Sequence, residues 1–123
     1  MIEEACVKTI LIVEDIELNI DLLIQILEDD YHLLVAKDGA QGVALTEQNR
    51  PDLVLMDISL PVMDGYEATR KIRKTFKSLP IIGLSAHAMQ GDGELAIAAG
   101  CTDYLIKPID ENLLFAKLQK YLG

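Results

Sequence analysis

Five short apolar runs recur along the chain: Thr9–Val13, His32–Ala36, Leu53–Met56, Pro80–Leu84 and Asp103–Ile106. Leu53–Met56 leaves no room for polar alternation, the pattern of a strand buried on both faces beneath helices. Stretches of helical length lie between the runs: Glu17 to Asp29, Gly39 to Asn49, Tyr66 to about Thr75, and Asp92 to Ala99. A last helix runs to Leu122. Asp38 and Asp110 precede their helices as N-caps, and Pro51 ends the second. Gly93 and Gly100 weaken the fourth helix. On the first helix, Asn19, Leu22, Leu23, Ile26 and Leu27 share one face, assigned to the core. Ile16, Ile20 and Ile24 form a second apolar row at i, i+4 and i+8, beside Leu18, and are assigned to the surface. On the last helix Leu113, Leu114, Lys117, Leu118 and Tyr121 fall at helical spacing. Strand and helix alternate five times, which predicts an α/β fold: a parallel sheet with right-handed crossovers and helices on both faces.

The runs end in chemistry. The first stops at Glu14-Asp15, the third at Asp57, the fourth at Ser85 and the fifth at Lys107. In a parallel sheet these ends share one edge, where open α/β sheets bind ligands. Three neighbouring carboxylates repel, and one Lys does not neutralise them. Mg²⁺ is the natural partner, a hard cation held by carboxylates, a carbonyl and waters with room for a phosphate. A carboxylate beside Mg²⁺, an ammonium and a hydroxyl can accept a phosphoryl group.

Composition narrows the alternatives. The chain has 123 residues, half of them hydrophobic, enough for one domain spanning residues 1–123 with its ordered core over about 8–122. Twenty acidic residues face eleven basic ones, a net charge of −9 that argues against phosphate-backbone binding by this domain. The basic cluster Arg70 to Lys77 reads as a solvated helix face. Cys6 and Cys101 lack metal-ligand or redox spacing, which suits a reduced, cytosolic protein. No apolar stretch has the length of a membrane span.

The motifs carry a resemblance. Leu11-Ile-Val-Glu-Asp15, Asp52-Leu-Val-Leu-Met-Asp57, Pro61-Val-Met-Asp-Gly65, Leu84-Ser-Ala86 and Gly100-Cys-Thr-Asp-Tyr-Leu-Ile-Lys-Pro108 together resemble the CheY-like receiver domain of two-component response regulators. The resemblance covers Thr9 to Leu122 and leans to receivers of hybrid kinases and phosphorelays. It implies a flavodoxin-like (βα)5 three-layer sandwich with strand order 2-1-3-4-5. It implies that Asp57 is the phosphoacceptor, taking phosphoryl from phosphohistidine, and that Ser85 and Lys107 contact the transferred group. Mg²⁺ would be held by Asp15, Asp57 and the Ser59 backbone carbonyl, with Glu14 acting through water. Tyr104 would be the switch aromatic beside Ser85, and the Lys107-Pro108 bond would be cis. Ser59 and His87 would tune the lifetime of the acyl phosphate. Partners would be a histidine kinase or histidine-phosphotransfer domain, docked on Ile16, Leu18, Ile20 and Ile24, and an output protein or domain reached through the face of the fourth helix, fifth strand and fifth helix.

The chain departs from the commonest pattern at two positions: Glu precedes Asp at 14–15, and Ser stands at 85 where Thr is more frequent. Other readings are weaker. A partner-binding pseudo-receiver would not need the complete acid, hydroxyl and ammonium set. A phosphatase with an Asp nucleophile would need an acid two residues on, and position 59 is Ser. Gly91-Asp-Gly93-Glu-Leu-Ala96 matches a dinucleotide fingerprint in letters alone, because it follows the fourth strand after a loop.

Overall fold

The computed structural model describes residues 7–60, 63–85 and 92–123. The expected roles of His87, Cys6, Pro61 and Val62 therefore lie outside the described residues. The elements in order are β1 (Thr9–Val13), α1 (Glu17–Leu27), β2 (His32–Ala36), α2 (Gly39–Asn49) and β3 (Leu53–Asp57). They continue with α3 (Gly65–Arg73), β4 (Ile81–Ser85), α4 (Asp92–Ala99), β5 (Asp103–Ile106) and α5 (Glu111–Leu122). All five strands pair in parallel, in the order β2-β1-β3-β4-β5. β1, β3 and β4 are interior strands. Apart from Thr9, all their residues are buried, as strands covered on both faces require.

Alternation along each strand feeds two cores. Leu11, Val13, Val54 and Met56 pack with Ala68 and Ile72 of α3 and Ala96 of α4. Ile10, Ile12, Leu53 and Leu55 pack with Leu23 and Leu27 of α1 and Leu114 and Leu118 of α5. The sheet is thus the middle of three layers. The edge strand β5 buries Leu105 and leaves Tyr104 and Ile106 exposed. Asp38, Asp64 and Asp110 cap α2, α3 and α5, accepting from the backbone N–H groups of Gln41, Glu67 and Leu113.

Two assignments on the helices are corrected. On α1 the buried residues are Ile20, Leu23 and Leu27, at i, i+3 and i+7. Ile20 is 4% exposed, so it belongs to the core and not to a surface row. Ile24 is half-buried against the same core, whereas Leu22, assigned to the core, is exposed. The exposed apolar residues of α1 and its N-cap position are therefore Ile16, Leu18 and Leu22. On α5, Leu113 is likewise exposed while Leu114 and Leu118 are buried. Eight of the twelve residues from Ile16 to Leu27 are Ile or Leu. Such a helix offers apolar faces in several directions, and the sheet selects one.

Candidate functional site

The C-terminal ends of β1, β3, β4 and β5 meet at one sheet edge. Val13 pairs with Met56, Asp57 with Leu84, and Ser85 with Ile106, so Glu14, Asp57, Ser85 and Lys107 arrive at similar height. Each strand delivers its polar residue where the apolar run stops. Asp57 is the last residue of β3 and is 3% exposed; Glu14 is fully buried and Ser85 is buried. Lys107 lies on the far side, with its backbone N–H donating to the Ser85 carbonyl at 2.7 Å. The Lys107-Pro108 peptide bond is cis.

The charges form a compact set. Lys107 Nζ lies 3.0 Å from Glu14 Oε1 and 3.2 Å from Asp57 Oδ2. Asp57 Oδ1 accepts from the Ser59 N–H at 3.1 Å, and Glu14 Oε2 accepts from the Ile16 N–H at 3.2 Å. Ligand oxygens of Glu14, Asp15 and Asp57 all lie within 4.8 Å of one another. Burial, then the hydrogen bond and the charge of Glu14, push the Asp57 carboxyl up to about 6. Burial would also raise Glu14, but its hydrogen bonds with Lys107 and Asp57 hold it below the ordinary value. Burial would lower Lys107, but Glu14 and Asp57 together raise it. One ammonium therefore serves two carboxylates, and a third carboxylate stands beside them.

That third group is the informative one. Asp15 Oδ1 is buried and has no hydrogen-bond partner among the described residues. A buried, unpaired carboxylate oxygen is costly, and native structures keep such atoms where an ion or water completes them. Three hard oxygen donors beside a single Lys fit a divalent cation.

Glycine lets the start of α3 approach this edge closely. A Cβ at Gly65 would stand 2.3 Å from the Asp57 carbonyl oxygen and 2.8 Å from Ile58 Cα. Gly65 N–H donates to the Ile58 carbonyl at 3.0 Å, so the start of α3 is pressed against the end of β3. Gly65→Ala forces backbone apart there. It should lower unfolding stability by about 2 kcal/mol in urea titrations. Wild-type stability for the variant would show that this approach is not required.

Of the residues singled out in the sequence, the structure brings together Glu14, Asp15, Asp57, Ser59, Ser85 and Lys107. Tyr104 and Ile106 lie along β5 beside them, exposed. Two residues of this region were read differently in the sequence, Leu22 as core and Gly65 only as part of a turn motif. Leu22 and Gly65 occupy positions set by tertiary packing. Gly65 carries the one visible signal, an Asp-Gly turn directly after the acid-bearing strand.

A doubly wound sheet with a half-buried lysine bridging two buried carboxylates at the C-terminal ends of its strands defines an α/β domain built to handle a cation and an anionic group together. Comparison places it further. The response regulator receiver domain family matches residues 10–119, and the chain belongs to that family, as a receiver domain of two-component signalling. The polar-differentiation response regulator DivK of Brucella anthropi is 36% identical over 119 residues, covering 94% of this chain and 97% of that protein. The receiver domain of the sensor histidine kinase PA1611 from Pseudomonas aeruginosa superposes with a TM-score of 0.89 at 42% identity, over 95% of this chain and 98% of that one; it carries a magnesium ion in its active site cleft. The receiver domain of the response regulator Ssk1 from Saccharomyces cerevisiae has a TM-score of 0.87 at 30% identity, over 94% and 88%. It was solved with its histidine phosphotransfer protein Ypd1. Receiver domains are signalling domains, and the relatives are named response regulators rather than turnover enzymes. Among the described residues no helix is long and apolar enough to cross a membrane.

Proposed function

We propose that Asp57 accepts a phosphoryl group from a phosphohistidine, with Mg²⁺ held by Asp15, Asp57 and the Ser59 carbonyl and with Glu14 beside it. The observation that carries this reading is the buried Asp15 Oδ1, without a partner among the described residues, next to a lysine shared by Glu14 and Asp57. Bound Mg²⁺ would neutralise the carboxylates and bring the phosphoryl oxygens to them. The chain's own residues supply the rest. The Asp57 carboxylate, at the rigid end of a buried strand, attacks phosphorus as the N–P bond to the donor imidazole breaks; the electron pair leaves with the imidazole. Ser59 N–H and Lys107 Nζ hold the two carboxylate oxygens, at 3.1 and 3.2 Å, and orient the attack. Lys107 and the Ser85 hydroxyl then bind phosphoryl oxygens. Ser59, two residues after the phosphoacceptor, tunes how fast water reaches the acyl phosphate, and the same tuning role is read for His87 from the sequence alone.

Once phosphorylated, Asp57 carries new charge that draws Ser85 inward, and Tyr104 follows. This alters the face of α4, β5 and α5, where Tyr104, Ile106 and Leu113 are exposed. That face is the surface for the output protein or domain. The donor docks elsewhere. Ile16, Leu18 and Leu22 are exposed on α1 and its N-cap position, and Leu22 lines a hollow of about 100 Å³ with Asn19, Pro108, Ile109 and Lys107. An apolar patch at the mouth of an acidic site suits the helix of a kinase dimerisation bundle or of a phosphotransfer domain. Buried, free Cys101 fits a reducing cytoplasm.

Incubation with acetyl phosphate tests the reading. Intact mass should show one added phosphoryl group with Mg²⁺ and none in EDTA. Equal labelling in both, or none in either, would contradict it. The docking surface has its own readout. Leu18→Glu should slow transfer from a phosphohistidine donor roughly tenfold, the loss of about one good apolar contact. Labelling by acetyl phosphate should stay unchanged, because Leu18 is 76% exposed. Equal loss in both assays would remove the docking role. Ile20→Glu cannot serve here, since a charge at that buried position weakens the fold itself.

A further inference from the structure

Tyr104 rests on a bare spot of α4. Leu105 packs with Leu114 and Leu118 on one side of the sheet, so its strand neighbours Tyr104 and Ile106 face the other side, where α4 lies. On α4 the fully buried residue is Ala96. Gly93 precedes it by three positions and therefore shares its face one turn earlier. A Cβ built on Gly93 would stand 2.3 Å from Tyr104 Cζ, and 2.5 and 2.7 Å from its Cε2 and Cε1. The hydroxyl end of the ring thus lies directly on the Gly93 backbone, in space that any other residue would fill. Glycine is also an expensive residue in a helix, by about 1 kcal/mol relative to Ala. Its presence in the first turn of α4 weakens that turn and makes room for the ring.

We propose that Gly93 is a positioning residue that sets the resting pose of Tyr104 and, through it, the rate at which the site is phosphorylated. The ring in this pose is held by the first turn of α4, on the outer side of β5. Movement of the ring toward the Ser85 end of β4 must uncover Gly93, so the same displacement changes the site and the α4 surface. The obstacle at position 93 acts on the free end of a side chain and not on backbone. Gly93→Ala therefore rotates the ring away while leaving β5 in place. The link to phosphorylation rests on the reading of Tyr104 as the switch; the link between Gly93 and the ring does not.

The test uses the full chain labelled with 3-fluorotyrosine. Its four tyrosines give four ¹⁹F resonances, and Tyr104→Phe assigns the relevant one. Gly93→Ala should move the Tyr104 resonance in the unphosphorylated protein, and leave those of Tyr31 and Tyr121 on the far side of the sheet unmoved. Leu95→Ala, at an exposed position of the same helix, should leave all four unmoved. Labelling by acetyl phosphate should be roughly fivefold faster for Gly93→Ala, at the low end of coupling between sites. A Tyr104 resonance unmoved by Gly93→Ala would overturn the proposal. A moved resonance with the wild-type labelling rate would overturn its link to the site. If neither protein labels, the assignment of Asp57 falls, and the resonance still decides the pose.

Discussion

Asp57→Asn is expected to take up no phosphoryl group and, in EDTA at pH 8, to be more stable than wild type. The first half follows from the loss of the attacking oxygen anion. The second follows from the electrostatics of the carboxylate cluster when EDTA withholds the cation. The folded protein raises the Asp57 carboxyl from its ordinary 3.8 to about 6, chiefly through burial and then through Glu14. A raised carboxyl binds its proton more tightly folded than unfolded. The fold is therefore unpenalised below about pH 4, loses stability between about 4 and 6, and carries the full penalty above 6. Asn keeps the shape, and its side-chain oxygen can still accept from Ser59 N–H. Removing the ionised carboxylate should return about 1–3 kcal/mol at pH 8 and almost nothing at pH 4. Urea unfolding at the two pH values measures this. A variant less stable than wild type at pH 8 would show that the Lys107 pairing outweighs the repulsion from Glu14. With Mg²⁺ present the ordering should narrow, because the cation binds the Asp57 carboxylate more strongly than an amide.

Lys107→Met should act in the opposite direction. Glu14 and Asp57 are almost completely buried, and among the described residues Lys107 is the cation that contacts both, at 3.0 and 3.2 Å. Removing one partner of a buried ion pair costs about 3–5 kcal/mol, because the remaining charge stays buried without compensation. The loss should be most severe in EDTA and above pH 6, where the Asp57 carboxyl is ionised. Methionine keeps the length of the stem, so the change isolates charge from packing. Mg²⁺ should recover part of the lost stability, and the variant should gain more from the cation than wild type does. Thermal melts with and without Mg²⁺ read both effects. A melting temperature within about 2 °C of wild type in EDTA would mean that another group neutralises the carboxylates.

Both expectations depend on features that were visible in the sequence for a physical reason. A strand buried on both faces tolerates only apolar residues, so its first polar residue marks the mouth of the sheet. Glu14, Asp57, Ser85 and Lys107 each follow such a run, and the parallel register brings them together. The N-capping aspartates at 38 and 110 were legible for a similar reason, since each side chain binds a backbone N–H three residues on. Faces of helices were harder. α1 has an apolar row through Ile20, Leu23 and Leu27 and another through Leu22, and only contact with β1 and β3 decides which is buried. Leu113 and Leu114 pose the same ambiguity on α5. The pairing of Gly93 with Tyr104 left no sequence signal beyond a glycine in a weak helix. It arises between elements whose separation is fixed by the packing of β5 against α4.

Borohydride reduction identifies the carboxyl that accepts the phosphoryl group. It converts an acyl phosphate to a primary alcohol and so marks the carboxyl that carried the phosphoryl group. The protein is incubated with acetyl phosphate and Mg²⁺, reduced, digested and sequenced by mass spectrometry. A single modified side chain, at Asp57, is the expected product. Modification at Glu14 or Asp15, or an unmodified Asp57 in protein whose intact mass shows an adduct, would contradict it.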